Sequence, residues 1–112
     1  MNWYKVPDIQ YTTEPFIKKI KINSKGICLV GYEGKIYAVS STCPHAGADL
    51  SGGWCKDGRI ICPFHRYSYD IHTGKGNPGQ NDYIDTYAVE VREDGIYVGM
   101  TTLFERIKQA FK

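Results

Sequence analysis

Residues 43–78 read CPHAGADLSGGWCKDGRIICPFHRYSYDIHTGKGNP. The stretch opens on Cys43-Pro44-His45 and, after sixteen intervening residues, reaches Cys62-Pro63-Phe64-His65. Each segment offers one thiolate and one imidazole. A zinc finger divides its ligands differently, with both cysteines in one segment and both histidines in the other. A mixed pair in each loop suits a site with two different metal positions, Cys43 and Cys62 on one ion and His45 and His65 on the other. The proline after each cysteine biases that cysteine toward extended backbone.

Outward from this stretch the chain reads as strands. WYKV at 3–6 is a short strand ended by Pro7, and FIKKIKI at 16–22 is another, with imperfect alternation. GICLVGYEGKIYAVSS at 26–41 holds two apolar runs separated by Glu33-Gly34, a hairpin signal. TYAVEVREDGIYVGM at 86–100 predicts a second hairpin, with Tyr87, Val89 and Val91 on one face and the turn at Asp94-Gly95. Leu103, Phe104, Ile107, Ala110 and Phe111 recur at helical spacing and predict a short C-terminal helix. Between these elements, seven glycines from Gly47 to Gly79 mark about 43–80 as a loop-rich insert. The expected fold is all-β, one domain over 1–112, with the ligand candidates in the insert.

A length of 112 residues is enough for one domain. A net charge of +2 is too mild to argue for nucleic acid. The N-terminus has no apolar run behind a basic start, and no stretch reaches the roughly 18 apolar residues of a membrane helix. A cytoplasmic location is therefore expected. Thiols stay reduced there, so the four cysteines read as ligands or inert thiols rather than disulfides.

The two-loop pattern, with the hairpin TYAVEVREDGIYV behind it, resembles Rieske ferredoxins and the Rieske domains of aromatic-ring oxygenases. The resemblance spans nearly the whole chain. It implies small antiparallel sheets with a two-iron, two-sulfide cluster at one tip, one per chain, held by Cys43, His45, Cys62 and His65. Gly47 and Gly52 are expected to bring N–H groups to the inorganic sulfide, and Phe64, Tyr67 and Tyr69 to shield the centre. Respiratory members of the family carry two further cysteines that form a disulfide. Ala48 and Phe64 stand at those positions, so that bridge cannot form. Tyr67 replaces a serine that donates to sulfide in those members, and Arg66 stands where many members have glycine. Whether the Tyr69 hydroxyl reaches a cysteine sulfur stays open. With few hydroxyl donors the reduction potential is expected near the low end of the Rieske range, roughly −150 mV.

The chain has no dinucleotide fingerprint, and only His72 is left outside the motif to serve a mononuclear iron. The function expected is a soluble one-electron carrier, with a flavin-dependent reductase as donor and a terminal oxygenase as acceptor. The alternatives are a Rieske subunit of a larger oxidoreductase, such as a nitrite-reductase-like small subunit or a detached oxygenase domain, and a structural zinc module. The chain begins and ends on structured-looking segments, which disfavours a fragment. Cys28 reads as a buried hydrophobe, Cys55 as a spare thiol and His72 as an ordinary polar residue. Lys18, Lys19 and Lys21 read as a solvated strand face, and Trp3 and Trp54 as core or loop-packing aromatics.

Overall fold

A computed structural model describes residues 2–6, 14–43, 47, 49–63, 66–77 and 82–100. The expected C-terminal helix and Pro7 lie outside the described residues. Among the described residues nine strands form two antiparallel sheets: β1 (Asn2–Lys5), β2 (Phe16–Ile22), β3 (Lys25–Tyr32), β4 (Lys35–Ser40), β5 (Trp54–Lys56), β6 (Arg59–Ile61), β7 (Ser68–Asp70), β8 (Thr86–Arg92) and β9 (Gly95–Met100). The larger sheet has the order β1-β9-β8-β4-β3-β2, and the smaller one is β5-β6-β7. The all-β expectation holds. Among the described residues no helix is long and apolar enough to cross a membrane.

Turn chemistry sets the register. Glu33 and Gly34 both adopt positive φ, 50° and 78°, as a two-residue hairpin requires, and β3 pairs β4 from Tyr32↔Lys35 onward. The β8–β9 turn falls one residue earlier than expected. Arg92 pairs Gly95, so Glu93 and Asp94 form the loop and Gly95, at φ 146°, begins β9. Val91 shares the expected face with Tyr87 and Val89, but it is 50% exposed because it sits beside the turn, beyond the packed part of the sheet.

β3 lies between two cores. Its residues alternate sides, as a strand must. Ile27 and Leu29 pack with Val6, Ile22, Ile36, Ala38, Ile96 and Val98. Cys28 and Val30 face the other way and pack with Val39, Cys43, Leu50, Ile60, Cys62, Tyr69, Ile71 and Ile84. The second core joins the large sheet to the small one, and it contains the cysteines of both ligand segments.

The insert is more regular than its glycines suggest. Its three short strands are built around Asp57-Gly58, at φ 52° and 76°, which turns β5 into β6. The Asp-Gly pair between WCK and RII is a hairpin signal that marks this turn in the sequence. The core half of the tryptophan reading fails. Trp3 is 37% exposed, with the Arg92 guanidinium 5.5 Å from its ring, and Trp54 is 44% exposed, so neither is a core residue. Lys18, Lys19 and Lys21 are all exposed, as expected, with Lys19 and Lys21 on one side of β2 and Lys18 on the other, and Lys19 Nζ is engaged with Asp49 Oδ2 at 2.9 Å.

Candidate metal centre

Cys43 follows β4 and Cys62 follows β6, so each sits where a strand gives way to irregular backbone. Both are fully buried, neither forms a disulfide, and they belong to the same core. Each segment is closed by a short backbone hydrogen bond. Gly47 N–H donates to the Cys43 carbonyl at 2.7 Å, and Cys62 N–H donates to the Tyr67 carbonyl at 2.7 Å. In sequence, the first closure brackets position 45 and the second position 65. His45 and His65 themselves lie outside the described residues, as do Ala48 and Phe64.

The base of the first segment is tied to the sheet. Leu50 N–H donates to the Ser41 carbonyl at 2.7 Å, Ser41 N–H donates to the Gly26 carbonyl at 3.2 Å, and Thr42 bridges Asp49. Asp49 then caps the 3-10 turn Leu50–Gly52, its Oδ1 accepting from Ser51 N–H at 2.9 Å and from the Ser51 hydroxyl at 2.6 Å. These bonds and Lys19 lower the Asp49 carboxyl to about 2, the Ser51 side chain contributing most. The reading of Gly47 and Gly52 as sulfide donors is corrected here. The Gly47 N–H is committed to Cys43, and the Gly52 N–H to the Asp49 carbonyl at 3.2 Å. Both glycines shape the turn instead.

Tyr69 closes the site from the β7 side. It is fully buried, and its hydroxyl lies 3.4 Å from Cys43 Sγ. That settles the open reading: the hydroxyl reaches a cysteine sulfur. The hydroxyl donates to Asp82 Oδ2 at 2.8 Å. Burial, followed by the bonds to Cys43 and Asp82, pushes its ionisation well above the ordinary tyrosine range, so it keeps its proton. Tyr67 packs half-buried against the core that holds both cysteines. Arg66 is exposed and adopts φ 56°, the left-handed conformation that glycine takes without penalty.

Behind the site, Arg59 clips β6 to β7 and the following turn. Its Nε donates to Ser68 Oγ at 3.0 Å, and its Nη2 donates to the Ser68 and Lys75 carbonyls at 3.2 and 3.1 Å. Asp70 Oδ1 accepts from the His72 and Thr73 amides, which pulls the chain round to Gly74. Cys28 is fully buried, and burial pushes its thiol up to about 12, which fits an inert hydrophobe. Cys55 is half-buried, with its thiol also raised by burial. His72 is exposed and meets Tyr37 edge-on at 4.6 Å.

The donor chemistry fits an iron–sulfur centre as far as it is described. Two buried thiols, unbonded to each other, stand on two separately closed segments, with Tyr69 in the same core and Tyr67 packed against it. Among the described residues no group of three or more His, Cys, Asp or Glu forms a metal site; the imidazoles that complete the expected set fall outside them. Asp82 and Asp49 were missed in the sequence. Neither has a spacing signal, because both reach the site through chain reversals.

Comparison with known proteins points the same way. A family model described as the Rieske [2Fe-2S] domain matches residues 2–88. The ferredoxin component of naphthalene 1,2-dioxygenase/salicylate 5-hydroxylase systems from Ralstonia sp. is 33% identical over 101 residues, covering 88% of this chain and 96% of the relative. The vanillate O-demethylase oxygenase subunit of Pseudomonas sp. (strain HR199 / DSM 7063) is 38% identical over 104 residues, 86% of this chain but 28% of that subunit. Among solved structures, a chain from the complex of reduced oxygenase and oxidized ferredoxin in carbazole 1,9a-dioxygenase superposes with a TM-score of 0.73 at 27% identity, covering 86% of this chain and 100% of that one.

Proposed function

The chain belongs to the Rieske [2Fe-2S] domain family, and from that premise we propose that it is a one-electron carrier that delivers electrons to an oxygenase. In this reading Cys43 and Cys62 hold one iron of a single [2Fe-2S] cluster and His45 and His65 hold the other. Residues 1–112 act as one Rieske domain. The observation that carries the assignment is the pair of fully buried, unbridged thiols, one on each backbone-closed segment.

The cluster supplies a site that takes up and returns a single electron. The chain's residues set the conditions. Burial of Cys43 and Cys62 would keep water away from sulfurs that held iron, and Tyr67 and Tyr69 extend that exclusion on the core side. The bonds at the base of each segment tie the two donors to the strand ends beside them, which limits rearrangement on electron gain or loss.

The carrier reading is favoured over a detached oxygenase domain by coverage. The match to the Ralstonia ferredoxin component runs along 96% of that protein, whereas the likeness to the vanillate O-demethylase subunit is confined to 28% of it. A carrier needs a donor. A flavin-dependent reductase fits, because it splits two-electron reductants into single electrons, and the cytosol is where such a pair would work. The test is an absorption and EPR spectrum of the dithionite-reduced protein, with iron and acid-labile sulfide measured per chain. The expected result is a red-brown protein with two irons and two sulfides per chain and a reduced-state EPR signal, lost in Cys43→Ser and Cys62→Ser. A colourless, zinc-loaded protein from an anaerobic preparation refutes the proposal.

A further inference from the structure

The Tyr69 hydroxyl carries one proton and has two neighbours that can accept it. Asp82 Oδ2 lies at 2.8 Å and Cys43 Sγ at 3.4 Å. The carboxylate is the closer acceptor, at an ordinary O–H···O length, whereas the sulfur lies well beyond it. Its position is not accidental to one rotamer. The backbone holds it, because Gly76 N–H donates to the Asp82 carbonyl at 3.0 Å, Lys75 bridges Tyr83 and Tyr69 bridges Gly76. The chain after β7 thus returns to set an acid against the buried end of Tyr69.

We propose that Asp82 is a positioning residue that tunes the centre through Tyr69: by accepting the hydroxyl proton it turns the oxygen, not the hydrogen, toward Cys43. The inference rests on Cys43 being an iron ligand, as proposed above. A ligand thiolate has only lone pairs to offer, so the tyrosine supplies the one hydrogen that can lie between the two atoms. Pointed at sulfur, that hydrogen favours the reduced, more negative state and raises the potential. Held by Asp82, it is withheld, and the sulfur faces a hydroxyl lone pair. A tyrosine hydroxyl that stands beside the sulfur thereby leaves the potential unraised.

Four proteins test this: wild type, Tyr69→Phe, Asp82→Ala and the double variant. Each is assayed for iron and sulfide, then for reduction potential by film voltammetry, with Fe–S stretching bands recorded by resonance Raman. In the wild-type background, removing the hydroxyl leaves the potential unchanged or raises it. In the Asp82→Ala background the same change lowers electron affinity about tenfold, or about 59 mV for a one-electron couple. Loss of the Asp82 charge also raises the potential by itself, and comparing Tyr69→Phe with the double variant measures that part separately. The Fe–S bands shift in Asp82→Ala and return in the double variant. Equal effects of Tyr69→Phe in both backgrounds, in proteins with full cluster content, overturn the inference alone. Four proteins that all lack iron and sulfide overturn the ligation and the inference with it.

Discussion

Gly53 and its neighbour Gly52 give opposite expectations for the same substitution. A Cβ on Gly53 would overlap the Ile61 carbonyl oxygen and lie 3.0 Å from the Ile61 carbonyl carbon and 3.3 Å from Pro63 Cδ. Two of these atoms are backbone and the third is in a proline ring, so no side chain can turn aside. The segment carrying Cys62 must retreat by on the order of 1 Å to restore ordinary contact. A metal constellation tolerates about 0.5 Å of displacement, so Gly53→Ala should cost the cluster before it costs the fold. The strain itself is about 1–3 kcal/mol, a fall in Tm of about 4–12 °C at roughly 4 °C per kcal/mol for a domain of this size. On Gly52 a Cβ would meet only Pro63 Cγ, at 4.0 Å. Gly52→Ala should therefore keep its cluster and its Tm. The assay is iron and sulfide per chain, visible absorption, and thermal unfolding of both variants beside wild type. A Gly53→Ala protein with full cluster and a Tm indistinguishable from Gly52→Ala refutes the coupling between that glycine and the second ligand segment.

Two further substitutions probe the segments themselves. Arg66→Gly relieves a non-glycine residue at φ 56°; it should stabilise by about 0.5–1 kcal/mol, after the added unfolded-state entropy of glycine is subtracted, read as a rise in Tm at unchanged cluster content. Asp49, held at about 2 in the fold against 3.8 when unperturbed, contributes stability that is present above pH 4 and is lost as pH falls from about 4 toward 2. Its side chain is 46% exposed, so solvent screening limits that contribution to about 1 kcal/mol or less. Asp49→Ala should lower stability at pH 7 by about that amount and flatten the acid limb of a pH–stability curve measured by denaturant unfolding.

The framework was legible where local chemistry and global fold agree. FIKKIKI and the strands around Glu33-Gly34 carry their alternation and turn in a few consecutive residues, and they form as expected. The β5–β6 hairpin was hidden by its own brevity: three-residue strands show too little periodicity to register, and Asp57-Gly58 stood among many other glycines. The β8–β9 turn slipped by one because Gly95 suits either a turn or the strand entry beside it. Of the site, the buried cysteine pair was legible, since ligand chemistry leaves a local pattern; the histidines of that pattern lie outside the described residues. The Tyr69–Asp82 bond was not, because its partners are 13 positions apart and only the return of the chain brings them together. Gly47 and Gly52 misled for a related reason. A glycine in a ligand loop frees an N–H to approach a ligand, but the same N–H can close the loop on itself, and here it does.

All four cysteines border one core, yet only two suit ligation, and the backbone explains the division. Cys28 lies within β3, paired on one side with Lys19 and on the other with Val39, so its Cα is fixed by ladders on both edges. Burial pushes its thiol up to about 12, which disfavours the thiolate that a metal needs. Cys55 is likewise held in a ladder, opposite Ile60. Cys43 and Cys62 stand just past strand ends, in irregular backbone whose hydrogen bonds are satisfied within a few residues. That arrangement frees the chain to curve around a bulky centre while the strands beneath keep the two sulfurs in register. Under the proposed ligation, iron bound there would take the place of the two thiol protons, in a core that is already packed around both sulfurs. The first core, on the far side of β3, contains none of the four cysteines and carries the sheet alone.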